Sequence, residues 1–148
     1  MSLKEILFQD MKEAMRTKDT MRKNTVQLVR GGILQIEKDQ KVELDDEGVL
    51  DVIAKELKKR RDSLPDFEKS GRVDLIDSLN KEIQILLEYL PTQLSESEIK
   101  TIVEETIGEV SAVTMKDMGK VMVAITPKIK GKADGKIVSS LVKELLTK

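Results

Sequence analysis

Apolar residues return at intervals of three and four along almost the whole chain, and strict alternation over a strand's length is absent. This pattern predicts an all-α fold. A first helix is expected over residues 2–17, with Leu3, Ile6, Leu7, Met11, Ala14 and Met15 on its buried stripe, followed by a turn and cap at Lys18-Asp19-Thr20. A second, over 20–39, carries Val29, Ile33 and Ile36. Gly31-Gly32 in its middle costs about 1 kcal/mol per glycine relative to Ala, which suggests close helix packing there. Leu44, Asp45 and Val49 form a hydrophobic staple around a cap and open a third helix bearing Leu50, Ile53, Ala54, Leu57 and Leu64. Pro65 lacks the donor for the Arg61 carbonyl, so a kink or restart is expected near Ser63-Leu64, with a further break at Ser70-Gly71. Leu75, Ile76, Leu79, Ile83, Leu86, Leu87 and Leu90 mark a fourth helix over 73–89, ended by Pro91.

The stretch 91–94 reads as a boundary. After it, Ser95 and Glu98 form a capping box, and Leu94 with Ile99 a staple, opening a helix that carries Ile102, Val103, Ile107 and Val110. Thr114 is expected to cap a sixth helix facing inward with Met115, Met118, Val121, Met122 and Ile125, and ending at Pro127. Asp134 caps a seventh, whose apolar face is Ile137, Val138, Leu141, Val142, Leu145 and Leu146. The expected organisation is an N-terminal four-helix domain, residues 1–92, followed by a small C-terminal three-helix bundle, residues 93–148.

Composition narrows the chemistry. The chain has 148 residues, no His, Cys or Trp, and only Phe8, Phe67 and Tyr89 as aromatics. Zinc sites of the Cys/His type, Ser-His-Asp and Cys-His catalysis, haem ligation by His and disulfides are excluded. Asp45-Asp46-Glu47, the densest acidic run, sits where a helix start prefers negative charge, and the ligand spacing of a calcium loop is absent. Neither phosphate-loop fingerprint, G-x-x-x-x-G-K-[ST] or G-x-G-x-x-G, occurs. No metal, cofactor or intrinsic active site is expected. Nor does any window approach the roughly 20 apolar residues of a membrane span. No signal-peptide h-region opens the chain, and the expectation is a soluble cytoplasmic protein.

The formal charge of −1 conceals a pattern. Residues 91–115 hold 1 basic and 5 acidic residues; residues 116–148 hold 8 and 3, a net +5. Within that last third, Lys128, Lys130, Lys132 and Lys136 surround Gly131 and Gly135. Lysines on a glycine-bearing loop that leads into a helix start suit phosphate, since backbone N–H groups and the helix dipole reinforce them. A solvated loop with Asp134 as a plain cap is the alternative reading. A second cluster runs from Lys55 to Asp62; its periodicity turns Lys55, Lys58 and Lys59 away from the apolar side and puts Arg60 and Arg61 on the borders. It reads equally as a stripe for a polyanion or as an ordinary solvated face. Of the seven Met residues, three lie in the sixth helix, where core filling competes with an adaptable partner groove.

Asp117-Met118-Gly119-Lys120-Val121-Met122, then Gly131-Lys132-Ala133-Asp134-Gly135-Lys136-Ile137-Val138 and the closing Leu141-Val142-Lys143-Glu144-Leu145, resemble the signature of the GatB/YqeY family. Lys58-Lys59-Arg60-Arg61-Asp62-Ser63, Phe67-Glu68-Lys69-Ser70-Gly71-Arg72 and Tyr89-Leu90-Pro91-Thr92-Gln93-Leu94-Ser95 are similar to its free-standing YqeY-like members. In the glutamine-dependent tRNA amidotransferase this domain is the tail of the B subunit, which helps hold the tRNA while other parts perform the chemistry. The resemblance carries signature roles onto Gly119, Lys120, Met122, Gly131, Asp134 and Gly135, and it implies cataloguing among carbon–nitrogen ligases with glutamine as amido-N-donor. Pro65 departs from the family pattern. The resulting expectation is a non-catalytic module binding tRNA or other structured RNA. Lys120, Lys128, Lys130, Lys132 and Lys136 would contact phosphates, Gly131 and Gly135 would let the backbone approach, and Lys58 and Lys59 would form a second patch. The alternatives are an adaptor docking a protein partner of the translation machinery and an amide-transfer enzyme, the latter opposed by the lack of a Cys nucleophile or Ser-Lys signature.

Overall fold

The computed structural model describes residues 1–147. Among them are α1 (Leu3–Arg16), α2 (Thr20–Gln40), α3 (Asp46–Ser70), α4 (Val73–Leu87), α5 (Glu96–Glu109), a 3-10 turn (Met115–Asp117), α6 (Met118–Ile129) and α7 (Gly135–Leu146), and no strand. Contacts group the chain into two compact units, Met1–Leu90 and Pro91–Lys148.

In the first unit the helix starts follow the local chemistry of the sequence. Ser2 and Glu5 close a capping box on α1, Asp19 accepts from the Arg22 N–H at 3.2 Å, and Asp45 accepts from the Gly48 N–H at 2.9 Å. Gly71, at φ +68°, ends α3 in the left-handed conformation that glycine adopts most readily. Leu7, Val26, Val29, Ile33, Val49, Ile53, Leu57, Ile83 and Leu86 build the core. Met15, expected on the α1 stripe, is instead exposed. It lies a further ~100° around the helix from Ala14, which takes the last buried place.

Three further features depart from, or sharpen, the expectations. First, α3 runs unbroken through Pro65. That residue is exposed, so the hydrogen bond withheld from Arg61 is lost on the solvent side. Second, Arg60 is not a border residue but buried; its guanidinium donates to Glu56 at 2.8 Å and to Glu82 of α4 at 3.2 Å. Third, Tyr89 donates its hydroxyl to Asp10 at 2.5 Å. Burial, reinforced by that carboxylate, pushes the phenol above its ordinary range, with neighbouring Arg22 opposing. Beside these, Glu37 accepts from Lys4 at 2.6 Å and from the Leu44 N–H at 2.8 Å, holding the α2–α3 connection against α1.

The second unit packs Ile99, Val103, Val121, Ile125, Ile129, Val138 and Val142 into a separate core. Thr114 caps the 3-10 turn rather than an α-helix, and α6 starts only at Met118. Met115, expected inside, therefore lies on that turn and is 39% exposed. Nor does Pro127 end α6, which continues to Ile129. The carbonyl it deprives of a donor is that of Val123, whose side chain is 78% exposed, so again the loss faces solvent. Ile137, on the edge of the α7 stripe, is also exposed.

The Gly31-Gly32 pair divides in two. A Cβ on Gly32 would meet Val52 Cγ1 at 3.2 Å, whereas one on Gly31 would meet nothing within 4 Å. Only Gly32 is needed for close packing. Gly31→Ala should therefore stabilise the protein by about 1 kcal/mol in urea unfolding. Gly32→Ala should forfeit that gain, because Val52 is buried and stiff at its branch.

Candidate nucleic-acid interface

The loop from Lys130 to Asp134 is built from both its ends and from behind. At the α6 end, the N–H groups of Lys132 and Ala133 donate back to the Ile129 carbonyl at 2.8 and 3.2 Å, and Gly131 takes φ +72°. That reversal is why glycine stands at 131. At the α7 end, Asp134 accepts from the Lys136 N–H at 2.9 Å, and its carbonyl accepts from Ile137 and Val138. From behind, the Gln93 carboxamide donates to the carbonyls of Gly131 at 2.8 Å and Pro91 at 3.0 Å, while the Leu94 N–H donates to the Lys132 carbonyl at 2.8 Å. Residues 91–94, read in the sequence as a boundary, thus form the strap that fixes this loop. A carboxamide one residue ahead of a staple carries no recognisable signal, so sequence reasoning missed it.

Lys130, Lys132 and Lys136 are exposed on the loop and the first turn of α7. Lys120 is exposed on α6, one turn from Val123 on the same outer face. Gly119 and Gly135 have open space where a Cβ would be, and neither has a positive φ. Met122 is half-buried against the second core, a packing role.

Lys128, near the end of α6, is half-buried. Its ammonium donates to Glu109 at 2.7 Å and to Thr106 at 3.0 Å, tying α6 to α5. The amide contribution foreseen for the loop is also reduced, since the N–H groups of Lys132, Ala133, Lys136 and Ile137 already serve the fold. What the loop offers to an anion is chiefly ammonium groups.

In the first unit, Lys58 pairs with Asp62 at 3.4 Å and Lys59 with Glu56 at 3.3 Å. Arg60 is held by Glu56 and Glu82, so three of the basic residues in this run have acidic partners. Among the described residues, no group of three or more Asp or Glu is arranged to hold a metal ion, and no helix is long and apolar enough to cross a membrane.

The family model described as Yqey-like protein matches residues 4–146. Among curated proteins, the chain is similar to "Altered inheritance of mitochondria protein 41, mitochondrial" from several fungi. The Kluyveromyces lactis protein is 44% identical over 84 residues, covering 56% of this chain and 45% of that protein. For the Lachancea thermotolerans protein the identity is 37% over 107 residues, 70% of this chain and 57% of the relative. The Pyrenophora tritici-repentis protein is 29% identical over 141 residues, 93% and 77% respectively. The chain thus spans about half the length of the first two relatives. Their names correct one expectation: they are designated mitochondrial, which points away from the cytoplasmic location inferred from composition and the N-terminal residues.

Asp117 closes the turn that launches α6, accepting from the N–H groups of Val113 at 2.9 Å and Thr114 at 3.3 Å. Those bonds, Val113 first, and the nearby Lys120 charge lower its pKa below the ordinary 3.8. A depressed folded-state pKa stabilises the protein above the ordinary value, and that contribution disappears as pH falls through the folded-state value. Asp117→Asn should accordingly melt below the parent protein at pH 7, and the difference should shrink in thermal scans taken at progressively lower pH.

Proposed function

The chain belongs to the YqeY-like family, and from that premise we propose that it is a non-catalytic module binding structured RNA, tRNA among the candidates. The reading treats residues 1–92 and 93–148 as separate domains, four helices and three, with the RNA on the second. Lys120, Lys130, Lys132 and Lys136 make the phosphate contacts. Lys128, held by Glu109 and Thr106, supports them without touching RNA.

The observation that carries the reading is the strapped loop. Gln93 and Leu94 hold its carbonyl side, leaving exposed lysines on a backbone whose shape is set before any ligand arrives. Preorganisation lowers the ordering cost of binding. The net +5 of residues 116–148 supplies the long-range attraction, and the resemblance of this segment to the amidotransferase tail supports RNA as the ligand class. No aromatic residue occurs after Tyr89, so no ring there can stack on a base. Recognition is by backbone shape rather than by sequence.

A fluorescence titration of a tRNA against the full chain, repeated over a range of KCl, tests this. Log K should fall linearly with log salt, and Lys130/Lys132/Lys136→Ala should make the slope shallower by about 2 to 3. Lys128→Ala should lower the melting temperature and leave the slope nearly unchanged. Absence of any binding at low salt would overturn the proposal.

A further inference from the structure

We propose that the groove between α1 and α2, remote in sequence from the lysine loop, docks an acidic amphipathic helix of a partner protein. Helical spacing places Phe8, Lys12 and Met15 along the outer side of α1, with Arg30 and Leu34 on α2. Phe8 is 42% exposed, Met15 55% and Leu34 63%, three of the exposed large apolar side chains of this unit brought to one groove. The Phe8 ring carries two cations, the Arg30 guanidinium carbon 4.7 Å and the Lys12 ammonium 4.9 Å from its centroid. Both charges thus sit beside apolar surface, and the Arg30 guanidinium also donates to Met11 Sδ at 3.3 Å. Arg30, Ile33, Leu34 and the Lys4–Glu37 pair bound a recess of about 70 Å³, room for one side chain but far below the volume of a small-molecule pocket. Next to it, Gly31 leaves open space where a Cβ would stand, so a partner can approach the α2 backbone closely.

The occupant follows from charge and shape together. An amphipathic helix inserts an apolar residue into the recess beside Leu34, covers Phe8 with the next turn, reaches Met15 about three turns along α1, and presents carboxylates to Lys12 and Arg30. A nucleic acid would use the two cations but leave Leu34 and Met15 in water. A second copy of this chain, in a two-fold interface, would set this cationic patch against an identical cationic patch. A membrane surface rewards a broad apolar face, whereas here the apolar residues line a recess between charges.

The test uses the full chain with three fluorescently labelled designed peptides. One is a helix with Leu at i, i+3/i+4 and i+7 and Glu on its flanks; the second has Lys in place of Glu; the third has the Glu peptide's composition with the periodicity scrambled. The acidic amphipathic peptide should bind, and the other two should not. Leu34→Gln, at an exposed position that leaves the melting temperature unchanged, should weaken binding about tenfold, and Arg30→Glu should shift preference to the Lys peptide. Equal binding of the scrambled acidic peptide, or indifference to Leu34→Gln, would reduce the effect to unspecific charge and overturn the proposal. So would a Leu34→Gln-sensitive association with tRNA, with anionic vesicles or, in sedimentation, with a second copy.

Discussion

Short helices must find acceptors for the N–H groups at their starts, and that requirement organises both units. The helices of the second unit are 12 to 14 residues long, close to the length at which an isolated helix is marginal in water. Ser2, Asp19, Asp45, Ser95, Thr114 and Asp134 supply side-chain caps. In the boxes at Ser2, Ser95 and Thr114, the acidic residue three positions on reaches back to the cap's own N–H. Each cap also decides where a helix begins and hence which arc of residues faces a neighbour. Asp134 fixes the start of α7, and with it the length of the loop that displays Lys130 and Lys132.

How much of this was legible in the sequence follows from the range of the interaction. Caps and apolar stripes are written within four residues, so the seven helices and most of the core could be read directly. Pro65 and Pro127 could not, because a proline breaks a helix only where the lost hydrogen bond cannot be made good, and periodicity does not say which carbonyls face water. The pairings of Arg60 and Lys128 lie out of reach for a related reason. Their partners, Glu82 and Glu109, lie 22 and 19 residues away, beyond any helical spacing. The lysine-rich composition of the loop was visible, but the strap that shapes it was not. Edge residues such as Met15 and Ile137 show that a stripe read from a wheel can be wider than the neighbouring helices cover.

The two units handle charge differently, although each is made of ordinary capped helices. In the first, positive residues are set among carboxylates, as in the Lys58–Asp62 and Lys59–Glu56 pairs and the buried Arg60 triad. Exposed pairs of this kind add little stability, and their opposite charges produce little field at a distance. In the second, the acidic residues are concentrated before residue 116 in the sequence and the lysines after it, and Lys128 reaches back across that division to Glu109. Segregation along the sequence, rather than total charge, is what gives a nearly neutral chain a basic segment.

Tyr89 gives the molecule an optical asymmetry. It is the only tyrosine, tryptophan is absent, and both phenylalanines precede it, so all aromatic absorption belongs to the unit that ends at Leu90. Because its hydroxyl is bound to Asp10, the near-ultraviolet signal reports on how the turn that follows α4 is held to α1. The second unit is silent at those wavelengths and visible only through its backbone dichroism. Melting curves recorded in the two spectral regions thus separate the unfolding of the units without any label being introduced.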